Sequence, residues 1–255
     1  MPTYNDYGII LNSYDLGESD RILNIYTKEN GLVRAVVKGA RKTLSKFSGK
    51  VDQLSCCYFH FASGKNLDTV CDCEQVNSFS LLRSNLICLT SAVLFLEIVS
   101  NFAHEDEHDS HHIYDLLYVS LNRLQISPNP DLESISFISK FLSLHGYKPQ
   151  FETCVSCAAK TDLKPALSGS YPYSSILGGI LCSNCSGTIN SKSVNSQTLN
   201  ILLNAGRDIP IEQLYNKQSL NNQNKNIRSV LELLREHLDV RAKNKIKSFD
   251  LVFSL

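Results

Sequence analysis

Along this chain the spacing of apolar residues changes once, near residue 80, and that change restricts the fold to two dissimilar parts. Before it, apolar residues alternate. In Leu32 to Lys38, Val33, Ala35 and Val37 share one face while Arg34, Val36 and Lys38 share the other, which is the two-residue period of a strand. Ile9, Leu11 and Ser13 against Ile10 and Asn12, and Ile22, Asn24 and Tyr26 against Arg21, Leu23 and Ile25, repeat the pattern. Lys28-Glu29-Asn30-Gly31 between them has the composition of a hairpin turn. Leu54 to Ala62 and Leu67 to Cys73, on either side of Ser63-Gly64-Lys65-Asn66, add two more strands. Five short strands suit a small closed barrel, and the OB-fold is the five-stranded form.

After residue 80 the period lengthens. Leu82, Leu86, Leu89, Val93 and Leu96 recur every three or four residues and predict one helical stripe. Ile113, Leu116, Leu117, Leu121 and Leu124 predict a second. Ile135, Ile138 and Leu142 predict a third helix, ended by Gly146 and Pro149. Helical spacing returns from Ser196 to Ala205 and from Ile227 to Lys247. Asn216 to Asn226, with seven Asn or Gln in eleven residues, reads as a solvated loop. The expected fold is therefore α+β and multidomain. Residues 1–80 form an OB-fold nucleic-acid-binding barrel, and residues 81–255 form a mostly helical domain with an insert at about 150–190 that lacks periodicity.

That insert carries the most specific motif. Cys154-x-x-Cys157 and Cys182-x-x-Cys185 are 24 residues apart, a little beyond the usual spacing of paired zinc knuckles. Each turn offers two thiolates, and two turns complete the tetrahedral all-sulfur shell of a structural zinc ion, one Zn²⁺ per chain. Two unrelated reduced pairs, or redox-active dithiols, are the alternatives. A filled shell has no position for water or substrate, so the expected role is scaffolding. Cys56, Cys57, Cys71, Cys73 and Cys88 lie in apolar runs and read as small buried residues.

Lysine plus arginine and aspartate plus glutamate each total 25, so overall charge says nothing about partners. Its distribution does. Between Arg21 and Lys50 there are eight basic residues and one acid, Glu29. Lys38, Arg41, Lys42 and Lys46 follow a strand end, where a basic loop can track a phosphate backbone beside a barrel. An ordinary solvated face is the alternative. Tyr14, Tyr26, Phe47, Tyr58 and Phe61 lie near this run; barrel packing is the expected role for most of them, with base stacking the alternative. Arg241, Lys243, Lys245 and Lys247 form a possible secondary basic patch, or complement a helix end. The run His104 to His112 looks like a metal sink but has no converging spacing, and reads as an interhelical loop.

No phosphate-binding loop, zinc-deaminase pair or Gly-x-Ser-x-Gly elbow occurs. No enzyme activity and no small-molecule substrate are expected. The longest apolar stretch contains Glu97 and is too short for a membrane span. The opening residues lack the character of a signal peptide, and nine cysteines suit reduced thiols or a metal. A cytoplasmic location is expected.

Asp15-Leu16-Gly17-Glu18-Ser19-Asp20-Arg21, Tyr26-Thr27-Lys28-Glu29-Asn30-Gly31 and Lys38-Gly39-Ala40-Arg41-Lys42 with Ser45 resemble, in order and spacing, the N-terminal domain of the bacterial RecO family of recombination mediators. Phe141-Leu142-x-x-His145-Gly146-Tyr147-x-Pro149, followed by the four cysteines and Gly178-Gly179-Ile180-Leu181, is similar to the family's C-terminal half. The resemblance implies an OB-fold, a helical domain with a zinc insert, binding of single- and double-stranded DNA, and annealing of complementary strands in DNA repair. It also implies partners: RecR, and the acidic C-terminal tail of single-stranded DNA-binding protein (SSB), in loading RecA. By position it gives Lys38, Arg41, Lys42 and Lys46 a DNA-contact role, and Cys154, Cys157, Cys182 and Cys185 the zinc. Arg34 joins the DNA set from strand alternation alone. A protein-binding adaptor that grips a partner peptide with the barrel is the competing reading.

Overall fold

The computed structural model describes residues 2–105, 110–161, 169–205 and 220–255, and within 220–224 only the backbone. They form two compact units: Met1–Pro128 with Ile246–Leu255, and Asn129–Lys245.

In the first unit, β1 (Thr3–Leu16), β2 (Asp20–Thr27), β3 (Gly31–Val37), β4 (Cys56–Ala62) and β5 (Asp68–Asn77) close into a barrel of order β1-β2-β3-β5-β4. This is the expected OB-type barrel. The alternation inferred for residues 32–38 holds: Val33, Ala35 and Val37 point into the core and Arg34 is exposed. The long β1 serves two neighbours, pairing with β4 from Thr3 to Ile9 and with β2 from Gly8 to Leu16, and its register shifts between Ile10 and Asn12. Ile10 belongs to the barrel core, yet Ile9 and Leu11 are buried too. Helices contact the outside of β1 and cover them. Phe47 and Val51, from the β3–β4 loop, fill the remaining core space beside Phe59, Phe61 and Val70. Buried side chains of this size contribute about 1.5–3 kcal/mol each.

The stripe expected from Leu82 to Leu96 is two helices, α1 (Ser80–Arg83) and α2 (Leu86–Phe102). Asn85 divides them by capping α2, its side chain accepting from the N–H groups of Ile87 (3.0 Å) and Cys88 (3.3 Å). Leu86 is consequently exposed, and burial spreads around α2 instead: Cys88, Ala92, Leu94, Phe95, Leu96, Ile98 and Val99 are all covered. The reason is that β1, α3 (Ser110–Leu124) and α8 (Ser248–Ser254) all contact it. Glu97 fastens α8, its carboxylate accepting from the backbone N–H of Lys247 (3.0 Å) and Ser248 (2.7 Å) and from the Ser248 hydroxyl. His111 and His112 lie in the first turn of α3 rather than in a loop; residues 106–109 of the expected loop fall outside the described residues.

The second unit holds α4 (Pro130–Leu144), α6 (Ser196–Ala205) and α7 (Leu220–Asp239), with a three-stranded sheet of order β7 (Gly179–Ile180), β6 (Ser170–Ser174) and β8 (Lys192–Asn195), and the one-turn helix α5 (Ser183–Ser186). Asn129 caps α4 by accepting from Leu132 N–H at 3.1 Å. Two expectations are corrected here. Helical structure ends at Asp239, not Lys247, and 240–247 is irregular before α8. Within the expected loop Asn216 to Asn226, residues 216–219 are outside the described set, but Leu220 onward is already α7. Asn226 shows why: it is buried and bonded to Asn195 (3.1 Å) and Gln197 (2.6 Å), so its amide serves helix packing. The aperiodic insert contains β6 and β7, strands too short to show a period. No described helix is long and apolar enough to cross a membrane.

Candidate metal centre and nucleic-acid interface

The two Cys-x-x-Cys turns converge. Cys154, Cys157, Cys182 and Cys185 place their sulfurs within 4.8 Å of one another, the single cluster of metal-ligand type among the described residues. Cys157 Sγ and Cys182 Sγ are 3.7 Å apart. Zinc–sulfur bonds of ~2.3 Å at tetrahedral angles require S···S edges of about 3.8 Å, so the donor set fits zinc. Backbone geometry shapes both turns. Cys154 C=O accepts from Ala158 N–H (2.9 Å), and Cys182 C=O accepts from the N–H groups of Cys185 (3.1 Å) and Ser186 (3.0 Å). The first turn is sewn to β7 by Val155 N–H to Ile180 C=O (3.0 Å). Beside it, Gly179 has no room for a side chain, since a Cβ there would sit 2.3 Å from the Gln150 carbonyl oxygen.

The thiols differ in acidity. Burial raises Cys154, but N–H groups of Cys182, Cys157 and Ser156 directed at its sulfur outweigh it and bring the thiol down to about 6. At Cys185 a hydrogen bond with Ser156 lowers the thiol, yet the neighbouring sulfurs of Cys182, Cys157 and Cys154, with burial, push it up to about 12. Thiolates so close cannot all ionise alone, and a divalent cation removes that conflict. The other five cysteines are free thiols, four buried and Cys71 partly so.

Beneath this turn lies a polar cluster that sequence reasoning missed. His237 is fully buried on α7, accepts at Nδ1 from the Tyr173 hydroxyl (2.8 Å) and donates from Nε2 to the Tyr147 carbonyl (2.8 Å). Burial, then the Arg241 charge, lower its pKa to about 4, against the smaller opposing effect of the Tyr147 bond. Arg241 lies 5.7 Å over the Tyr147 ring and donates to the carbonyls of His237 (2.6 Å) and Ser175 (3.1 Å). Of the expected secondary patch, Arg241 is thus enlisted in packing, whereas Lys243, Lys245 and Lys247 are exposed.

From Lys38 to Lys46 the basic residues lie in the loop that follows β3. Arg34 projects from the middle of β3, and Lys38 follows its last residue, Val37. Gly39 then takes a left-handed φ of +68°, open to glycine without strain, and its N–H donates to Asp20 Oδ1 at 2.8 Å. Arg41 N–H donates to Ser19 C=O (2.9 Å), and its guanidinium reaches Gly17 C=O (3.0 Å) and Asp15 (3.4 Å). Lys46 donates to Cys71 C=O (2.7 Å) and pairs with Asp72 at 3.4 Å. Arg34, Lys38 and Lys42 are exposed and make no ion pair among the described residues. Hydrogen bonds from Gly39 and Ser19 hold Asp20 below the ordinary carboxylate range; the Cys73 N–H and Lys46 do the same for Asp72. These acids lie outside the 21–50 window; Asp20 belongs to the Asp15–Arg21 motif, but nothing local marks either acid as a partner of the basic loop. Of the aromatic candidates, Tyr26, Phe47 and Phe61 are core residues, while Tyr14 and Tyr58 are exposed.

Residues 1–79 match the family model described as recombination protein O N terminal, and residues 83–249 match recombination protein O C terminal. The chain belongs to the RecO family. It is 31% identical to the DNA repair protein RecO of Pelotomaculum thermopropionicum over 98% of this chain and 93% of that protein. It is also 31% identical to that of Cutibacterium acnes over 72% of this chain and 75% of the other, and 32% identical to that of Rubrobacter xylanophilus over 72% of each. RecO membership agrees with both the barrel and the four-cysteine cluster, which lie in the respective halves.

Proposed function

We propose that this protein is a non-catalytic mediator of DNA repair and homologous recombination. It binds single- and double-stranded DNA, anneals complementary strands, and with RecR and the acidic C-terminal tail of SSB helps load the recombinase onto coated single strands. The barrel, residues 1–80, holds DNA through Arg34, Lys38, Arg41, Lys42 and Lys46; residues 81–255 carry one structural zinc on Cys154, Cys157, Cys182 and Cys185. The protein acts in the cytoplasm, on the nucleoid.

The observation that carries this reading is the fastened basic loop after β3, on which Lys38 and Lys42 remain exposed beside Arg34 of the strand, in a RecO-family chain. Cations held in place neutralise phosphates at little entropic cost, and screening two strands lowers the repulsion that opposes their pairing. Arg41 and Lys46 meet DNA by exchanging Asp15 and Asp72 for phosphate.

The test is fluorescence-anisotropy titration of the full chain with a labelled single-stranded oligonucleotide over a range of salt. If about five phosphates are engaged, a slope near −3.5 gives roughly 100-fold weaker binding at 200 mM than at 50 mM salt. Salt-insensitive or absent binding overturns the reading in favour of the peptide-gripping adaptor.

A further inference from the structure

Leu44 is 98% exposed, more than any other large apolar side chain among the described residues, with Ile126 next at 80%. A lone exposed leucine is ordinary on a protein surface. The support beneath this one is not. Ser45 N–H donates to Lys42 C=O at 3.0 Å, closing a turn whose two central residues are Thr43 and Leu44. Lys42 N–H donates to Gly39 C=O (3.2 Å) in the turn before it, and Asp20 and Ser19 pin Gly39 and Arg41. On the far side, Lys46 is bonded to β5 and Phe47 is sunk in the barrel core. The apex therefore stands out from the loop on a turn fastened at both feet, with lysines two residues before and two residues after the leucine.

We propose that Leu44 packs against an unstacked nucleobase, and that this apolar contact gives the basic loop a preference for single-stranded over double-stranded DNA. The inference rests on the DNA-binding reading above and adds what charge cannot supply. Counterion release depends on phosphate density, which is higher in a duplex, so lysines and arginines alone do not favour a single strand. Base faces are covered by stacking in a duplex, where reaching them costs unstacking, and are open in a single strand, where an apolar side chain can lie on them. Lys42 is exposed beside Leu44, and Lys46 meets a phosphate when it exchanges Asp72 for it, with Phe47 still seating the turn in the core; adjacent phosphates then flank the apex, and the intervening base is the nearest apolar surface.

The experiment titrates full-length wild type, Leu44→Ala and Leu44→Lys against labelled oligo(dT) and against its duplex with oligo(dA), at several salt concentrations. Leu44→Ala is expected to weaken single-strand binding about tenfold, with the salt slope unchanged and duplex affinity within about twofold. Leu44→Lys is expected to steepen the single-strand slope by about 0.7 without recovering wild-type affinity at high salt. Equal losses on both forms of DNA, or no loss on either, overturn the proposal while leaving the DNA-binding reading intact. Wild type that binds neither form removes both.

Discussion

The barrel and the cysteine-bearing insert solve the same problem with different means. The barrel buries a continuous apolar core, from Ile10 through Phe59, Phe61 and Val70, so its loop side chains are released from folding and free to meet a ligand. The insert has strands of five and two residues and few buried apolar groups of its own. Its functional-looking side chains, the four thiols and Tyr173, which donates to His237 of α7, are consequently engaged in holding the chain together. Chemistry-bearing residues at a surface mean different things depending on how much core lies beneath them.

Separating stability from DNA affinity is the way to break this comparison. The largest effect is expected at the metal. Structural zinc contributes on the order of 10 kcal/mol in isolated zinc peptides, and less where a domain already has a core. Chelation or Cys154→Ser should lower the melting temperature of the second unit sharply while single-strand affinity in the first stays within about twofold. Metal analysis well below one zinc per chain would remove the ion from the account.

Acid should act next, and again on the second unit. His237 has a folded pKa of about 4 and an ordinary value near 6.5, so the unfolded chain binds the extra proton first. Its contribution is complete above pH 6.5 and is lost as pH falls toward 4, about 3 kcal/mol in all. Melting curves of wild type and His237→Gln at pH 7 and pH 5 test this, the variant losing less over that interval. Equal losses would assign the acid response to the thiolates instead.

At the barrel the order reverses. Replacing Lys38, Arg41 and Lys42 together by Ala should flatten the salt slope by about 2 on single strands and leave melting unchanged within a few degrees. The smallest effect belongs to Asp20→Ala, which frees Gly39 N–H and loosens the turn. A severalfold loss of DNA affinity with an unchanged salt slope is expected, because the cations remain while their placement does not. A steeper slope would show instead that Asp20 acts by its charge.

Much of this was legible in residue order. The five strands and the pairing of the four cysteines follow from short-range rules: alternation and paired Cys-x-x-Cys turns. Such signals fail where a residue's neighbours come from elsewhere. Leu86 matches a helical stripe and is exposed, because Asn85 restarts the helix and three other elements decide which face of α2 is covered. Asn226 reads as loop and is a buried helical amide, because Asn195 and Gln197 receive it.

Residue order alone carries the succession of barrel strands and then helices, the four clustered cysteines and the basic run, since period, spacing and charge are properties of a few consecutive residues. The fold settles which of the exposed cations are paired, by bringing Asp15 and Asp72 to Arg41 and Lys46. It alone turned His237 into a neutral buried strut and raised Leu44 on its turn, since burial and ion pairing depend on distances that closing the chain creates.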